Sequence, residues 1–142
     1  MLLLVVHAAA VWALVGLVWT VQRVVYPSFL LSGPTGAWPA LHEAHSRAIS
    51  AVVAVPWAVQ GGTLVWLLVD RPAGVPRWLV LLAGALGAAT VASTLLASVP
   101  LHSSLQPYDA ARARRLVATN WPRTAAWTAG GVCAAAMLLT AA

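Results

Sequence analysis

Residues 78–99, WLVLLAGALGAATVASTLLASV, decide the fold. They contain no Asp, Glu, Lys or Arg, and one helix needs about 20 apolar residues to cross a bilayer core. Three more charge-free stretches share the chain: residues 2–21, 49–69 and 124–140. Barrel strands would instead alternate apolar and polar residues over segments of about 10. The expectation is therefore an all-α integral membrane protein, a four-helix up-and-down bundle forming one transmembrane domain over residues 1–142. Its helices are expected near 2–25, 41–69, 77–99 and 117–140, with a short amphipathic segment at 107–118.

Composition agrees. Of 142 residues, 61% are hydrophobic and 8% charged, where soluble domains carry roughly 25% charged residues. A single cysteine rules out a disulfide scaffold. The first apolar run lacks a basic leader and is too long for a signal peptide's apolar region, so it is read as the first span.

All eight basic residues are arginines, and they divide unevenly between the two sides of such a bundle. Arg71 and Arg77 fall in the short connection beside the termini. Arg23, Arg47, Arg112, Arg114, Arg115 and Arg123 fall with the two long connections. The positive-inside bias puts the long connections in the cytoplasm and both termini outside, in a bacterial inner membrane. The arginines thus have a topological role, and nucleic acid is not expected as a partner. Trp66 and Trp78 fit the outer aromatic belt, and Trp19, Trp38 and Trp121 the inner one. Gly84, Ala88 and Ala92, and likewise Ala126, Gly130 and Ala134, form small-residue faces that let helices approach closely in lipid.

Polar residues gather at the cytoplasmic ends of the spans. Gln22 and Tyr26, four apart, share a face at the end of the first helix. His42, Glu43 and His45 approach the second helix, His102 follows the third, and Asn120, Arg123 and Thr124 open the fourth. Thr90, Thr94, Ser98 and His102 form a four-residue stripe on the third helix, and polar groups within a bilayer usually face the bundle interior. With Trp127, the stripe is expected to line a pocket, apolar at depth and polar at its cytoplasmic end, suited to a lipophilic small molecule.

Each motif has two readings. His42-x-x-His45, joined by His102, would suit a three-histidine metal site, and iron or copper accepts imidazole ligands. Interfacial histidines also simply hydrogen-bond to headgroups, backbone or water. Asn120 and Pro122 would also serve as the N-cap and first turn of the fourth helix. Arg123 can snorkel to headgroups, and Tyr26-Pro27 can be an anchor and a helix stop. His7 lies at the far end of the first helix and is read as a helix-packing or interfacial residue, and Cys133 as inert. There is no Cys-x-x-Cys for quinone-linked thiol chemistry, no membrane-embedded carboxylate for proton-coupled export, and no phosphate loop or nucleophile elbow.

Four segments carry a resemblance: Gln22…Tyr26-Pro27-x-Phe29; His42-x-x-His45; Val99-Pro100-x-His102-x-x-Leu105; and Thr119-Asn120-Trp121-x-Arg123-Thr124-x-x-Trp127. Together they resemble a set of small bacterial four-helix membrane proteins and, more distantly, the anthrone-oxygenase-like group, over nearly the whole chain. The resemblance implies oxygen addition to a polycyclic aromatic substrate. The likeness to that group rests mainly on Val99-Pro100 and on the run from Asn120 to Thr124. Where its pattern has Asn after the proline, this chain has His102.

Two functions follow as expectations. In the first, a membrane-embedded oxidoreductase or oxygenase acts on a lipophilic molecule. Tyr26, Gln22, Asn120 and Arg123 orient the substrate and stabilise developing charge, while His42, His45 and His102 hold the metal. In the second, the protein is a non-enzymatic binder of lipophilic ligands, or a small subunit of a larger membrane complex. A homo-oligomer is compatible with either.

Overall fold

A computed structural model of the protein describes residues 1–141, and the described chain is helical without strands. Four helices are long and apolar enough to cross a membrane: α1 (Leu2–Ser32), α2 (Trp38–Val69), α3 (Arg77–Ser103) and α4 (Ala110–Ala141). Helix is the form such sequences take in lipid, where no water can satisfy a free backbone N–H or C=O. Helices of this length and composition are those of an integral membrane protein. Large apolar side chains such as Leu31, Val69, Leu96 and Leu139 point outward and are more than 80% exposed or nearly so, as suits a protein surrounded by acyl chains.

The helices run longer than the sequence reading placed them, and proline explains why. Pro27 does not stop α1, and Pro100 does not stop α3. A proline deep in an α-helix removes a hydrogen bond and crowds the carbonyl four residues back. Here each proline is preceded by a π-helical turn, Val21–Val25 in α1 and Thr94–Ser98 in α3. The Tyr26 N–H reaches back to the Val21 carbonyl, and the Val99 N–H to that of Thr94. The α-helix then restarts with the proline in its first turn, where a missing N–H costs nothing. Single π-turns of this kind recur at functional sites, and both of these border the cavity described below.

The amphipathic segment at 107–118 is not separate. From Ala110 it is continuous with α4, so Asn120 and Pro122 lie inside that helix instead of opening it. The capping role falls to Asp109, whose Oδ1 accepts the Arg112 backbone N–H at 2.8 Å. That bond favours the ionised carboxylate and holds its pKa below the ordinary range.

Three apolar clusters stack along the bundle. Leu4, Leu67, Leu79 and Met137 join the start of α1 to the end of α2, the start of α3 and the end of α4. Val11, Val15, Trp127 and Ala134 join α1 and α4 in the middle. Phe29, Trp38, Leu105 and Leu116 join the other ends. Helix α4 packs along both α1 and α3, and α1 along α2. Gly131 brings α4 close to α1, since a Cβ there would lie 3.2 Å from Val15 and 3.3 Å from Trp12.

Candidate functional site

A cavity of about 570 Å³ lies among the four helices. This falls within the range that holds drug-sized ligands. Its walls are mainly apolar: Leu14, Leu17 and Val18 from α1, Ile49, Val53 and Trp57 from α2, and Trp127 from α4. Its polar groups are Tyr26, His42, His45, Ser46, Thr94, Ser98, His102 and Arg123. Ser50, Ala54, Val99 and Ser103, all exposed, also border it, so it opens along α2 and α3.

Arg123 is the charged member. Its Nη1 donates to Ser98 Oγ at 2.8 Å, with Thr94 Oγ1 at 3.5 Å, and its Nη2 donates to Tyr26 Oη at 3.4 Å. The Nε–H is buried without an acceptor. Ser98 closes the π-helical turn of α3, and Tyr26 follows that of α1, so the two wide turns present the partners of this guanidinium. Arg123 is thus bound inward rather than extended toward headgroups.

The histidines meet beside it. Tyr26 Oη lies 3.1 Å from His102 Nε2, His102 Nδ1 lies 3.2 Å from His42 Nε2, and His42 Nδ1 lies 3.3 Å from Gln106 Nε2. The His102 ring stacks on His42 and His45 at centroid distances of 5.4 and 6.0 Å. Phe29 sets its edge against His45 at 4.9 Å. Trp38 lies 5.0 Å from His42 and donates its indole N–H to the Leu105 carbonyl at 2.8 Å, tying the start of α2 to the end of α3.

The expected metal ligands therefore converge, but among the described residues no group of three His, Cys, Asp or Glu is arranged to hold a metal ion. Both ring nitrogens of His42 and of His102 are already engaged, and the Arg123 cation bonds to the same Tyr26 hydroxyl as His102. His45 takes part in none of these hydrogen bonds.

Other expected site residues lie elsewhere. Gln22 and Asn120 are buried away from the cavity wall. Asn120 Nδ2 donates to Gln22 Oε1 at 2.6 Å, and Gln22 Nε2 donates to the Val117 carbonyl at 3.3 Å. The pair joins α1 to α4. Thr90 returns its hydroxyl to the Gly87 carbonyl at 2.7 Å and borders a much smaller cavity with His7 and Gln60. Trp127 lines both cavities. His7 bonds to Thr63 at 2.8 Å, consistent with a packing role. Asn120→Leu strands the Gln22 carbonyl and is expected to cost ~1 kcal/mol. Its melting temperature in detergent should fall by a few degrees; an unchanged melting temperature would mean that the pair does not join α1 to α4 with any measurable energy.

No sequence signal marks Gln106, Ser46 or Trp57 as part of the site. Ser46 and Trp57 sit on α2 at positions that resemble any helix interior. Gln106 lies beyond the end of α3, where no periodicity predicts which way a side chain turns. No protein-family model, curated protein or solved structure matches this chain.

Proposed function

We propose that this protein is a membrane-embedded oxygenase acting on a lipophilic, polycyclic aromatic molecule held in the cavity. The observation that carries the reading is an apolar cavity of about 570 Å³ with a guanidinium, a phenol and three imidazoles among its lining groups. An aromatic ring system suits the Leu, Val and Trp walls, and an oxygen substituent suits the Tyr26 hydroxyl and the Arg123 guanidinium that line the same cavity.

The chemistry follows from those groups. His45, with its ring nitrogens uncommitted, takes a proton from an acidic C–H between aromatic rings that are conjugated to a carbonyl. Negative charge moves onto the carbonyl oxygen, where Arg123 and Tyr26 stabilise it in a low-dielectric site. The carbanion adds dioxygen, and the resulting hydroperoxide loses water to leave a ketone. Overall, a methylene and dioxygen become a carbonyl and one water. The reaction as written needs no metal, in keeping with the engaged nitrogens of His42 and His102.

The clustering of alternate helix ends supports an up-and-down bundle. The six-to-two arginine division supports a cytoplasmic position for the polar end, in a bacterial inner membrane. The test is oxygen uptake and anthraquinone formation from anthrone by detergent-purified, untagged protein. Equal uptake of oxygen and release of quinone, lost in His45→Ala, is the expected result. Tight retention of anthrone without turnover would instead make the protein a carrier. Stoichiometric iron or copper by elemental analysis, lost in His45→Ala, would replace the metal-free mechanism with a histidine-ligated redox centre.

A further inference from the structure

We infer that Gln106 fixes the direction of a hydrogen-bond chain through His42 and His102, making the Tyr26 hydroxyl a donor to a carbonyl or phenolate oxygen of the ligand. The inference rests on the reading that the cavity holds a lipophilic aromatic molecule, and it adds what part of that molecule is recognised and by which atom.

The direction is set at the outermost link. Gln106 Nε2 lies 3.3 Å from the Pro39 carbonyl oxygen and 3.3 Å from His42 Nδ1. A backbone carbonyl only accepts, so the amide must present its NH₂ end here, and its two hydrogens serve these two neighbours. His42 Nδ1 is therefore an acceptor, and a neutral imidazole with an accepting Nδ1 carries its proton on Nε2. That proton is donated to His102 Nδ1 at 3.2 Å. His102 must then carry its own proton on Nε2, and it donates to Tyr26 Oη at 3.1 Å. Arg123 Nη2 donates to the same oxygen at 3.4 Å.

The Tyr26 oxygen thus accepts two hydrogen bonds, one from a cation, and both of its acceptor positions are occupied. Its own hydrogen has no acceptor among the described residues, while Tyr26 lines the cavity. Donors that feed into a hydroxyl strengthen it as a donor in turn. Such a hydroxyl selects a ligand with an oxygen acceptor over a plain hydrocarbon. Gln106 touches no part of the cavity and is a positioning residue.

Two measurements on the full chain in detergent test this. The first is nitrogen NMR of protein labelled at histidine, read at pH 9, well above the ordinary imidazole range. His42 and His102 should both be protonated at Nε2 in the wild type. Gln106→Glu offers an acceptor in place of the NH₂, so both histidines should switch to the Nδ1–H form, with Tyr26 then donating to His102. Gln106→Leu should give mixed tautomers.

The second measurement is binding of anthraquinone and of anthracene, followed through quenching of the tryptophan fluorescence, to which Trp57 and Trp127 of the cavity wall contribute. The affinity ratio of anthraquinone to anthracene should fall roughly five- to tenfold in Tyr26→Phe and in Gln106→Glu, the size of one hydrogen bond. Protonation of wild-type His102 at Nδ1, or an affinity ratio unmoved in both variants, would overturn the inference while leaving the cavity reading intact. Failure of both probes to bind the wild type would overturn the cavity reading and this inference together.

Discussion

Under the proposed oxygenase reading, Arg123→Gln is expected to lower turnover of anthrone at least a hundredfold while leaving the affinity for anthracene within the error of measurement. Removing one preorganised donor from a developing oxyanion commonly costs a factor of 10²–10³ in turnover. Arg123 is placed for such a role: it lines the cavity, and Ser98 and Tyr26 hold its two terminal nitrogens in position. Glutamine keeps a polar group near Ser98 but brings no positive charge. Anthracene binding depends on the apolar walls and reports whether the cavity survives the change. Turnover within threefold of the wild type would remove Arg123 from the chemistry. Parallel loss of anthracene binding would mean that the substitution had damaged the bundle instead.

Adjacent glycines in α4 are expected to respond with opposite signs. A Cβ at Gly131 would approach Val15 and Trp12 to 3.2–3.3 Å, whereas one at Gly130 meets nothing within 4 Å. Gly131→Val should therefore push α1 from α4 and cost on the order of 2 kcal/mol, as overpacked contacts generally do. Gly130→Ala gains helix propensity without a clash and should stabilise by up to about 1 kcal/mol. Thermal unfolding in one detergent, monitored by helical circular dichroism, would show the first melting several degrees below the wild type and the second at or above it. Equal shifts in both would mean that α1 and α4 do not approach each other at Gly131.

Much of the architecture was legible because it follows from local quantities. Each charge-free run near 20 residues demands a helix of its own, whatever surrounds it. The site was partly legible for the same reason: polar residues are costly in lipid, so Tyr26, His42, His102, Ser98 and Arg123 announced an interior role by being there. Pro27 misled where it was read as a helix stop: a π-turn before it, and another before Pro100 in α3, resets the hydrogen-bonding frame. That device leaves no mark in composition. Gln22 and Asn120 sit differently from the cavity residues. Both are interior, as polar groups in a span should be, but each found the other as its partner instead of facing the cavity.

By itself the sequence determined the number of spans, their membrane character and the pool of polar residues available to a site, since these depend on hydrophobic length and on the cost of burying polarity. Only the tertiary structure decided how that pool divides. Hydrogen bonds have direction and a reach of about 3 Å, and the packing of α1 against α4 and of Trp38 against Leu105 sets which groups come within that reach. Gln22 and Asn120 consequently join two helices, Arg123 turns to Tyr26 and Ser98, and Gln106, inconspicuous in the chain, stands at the head of the histidine chain.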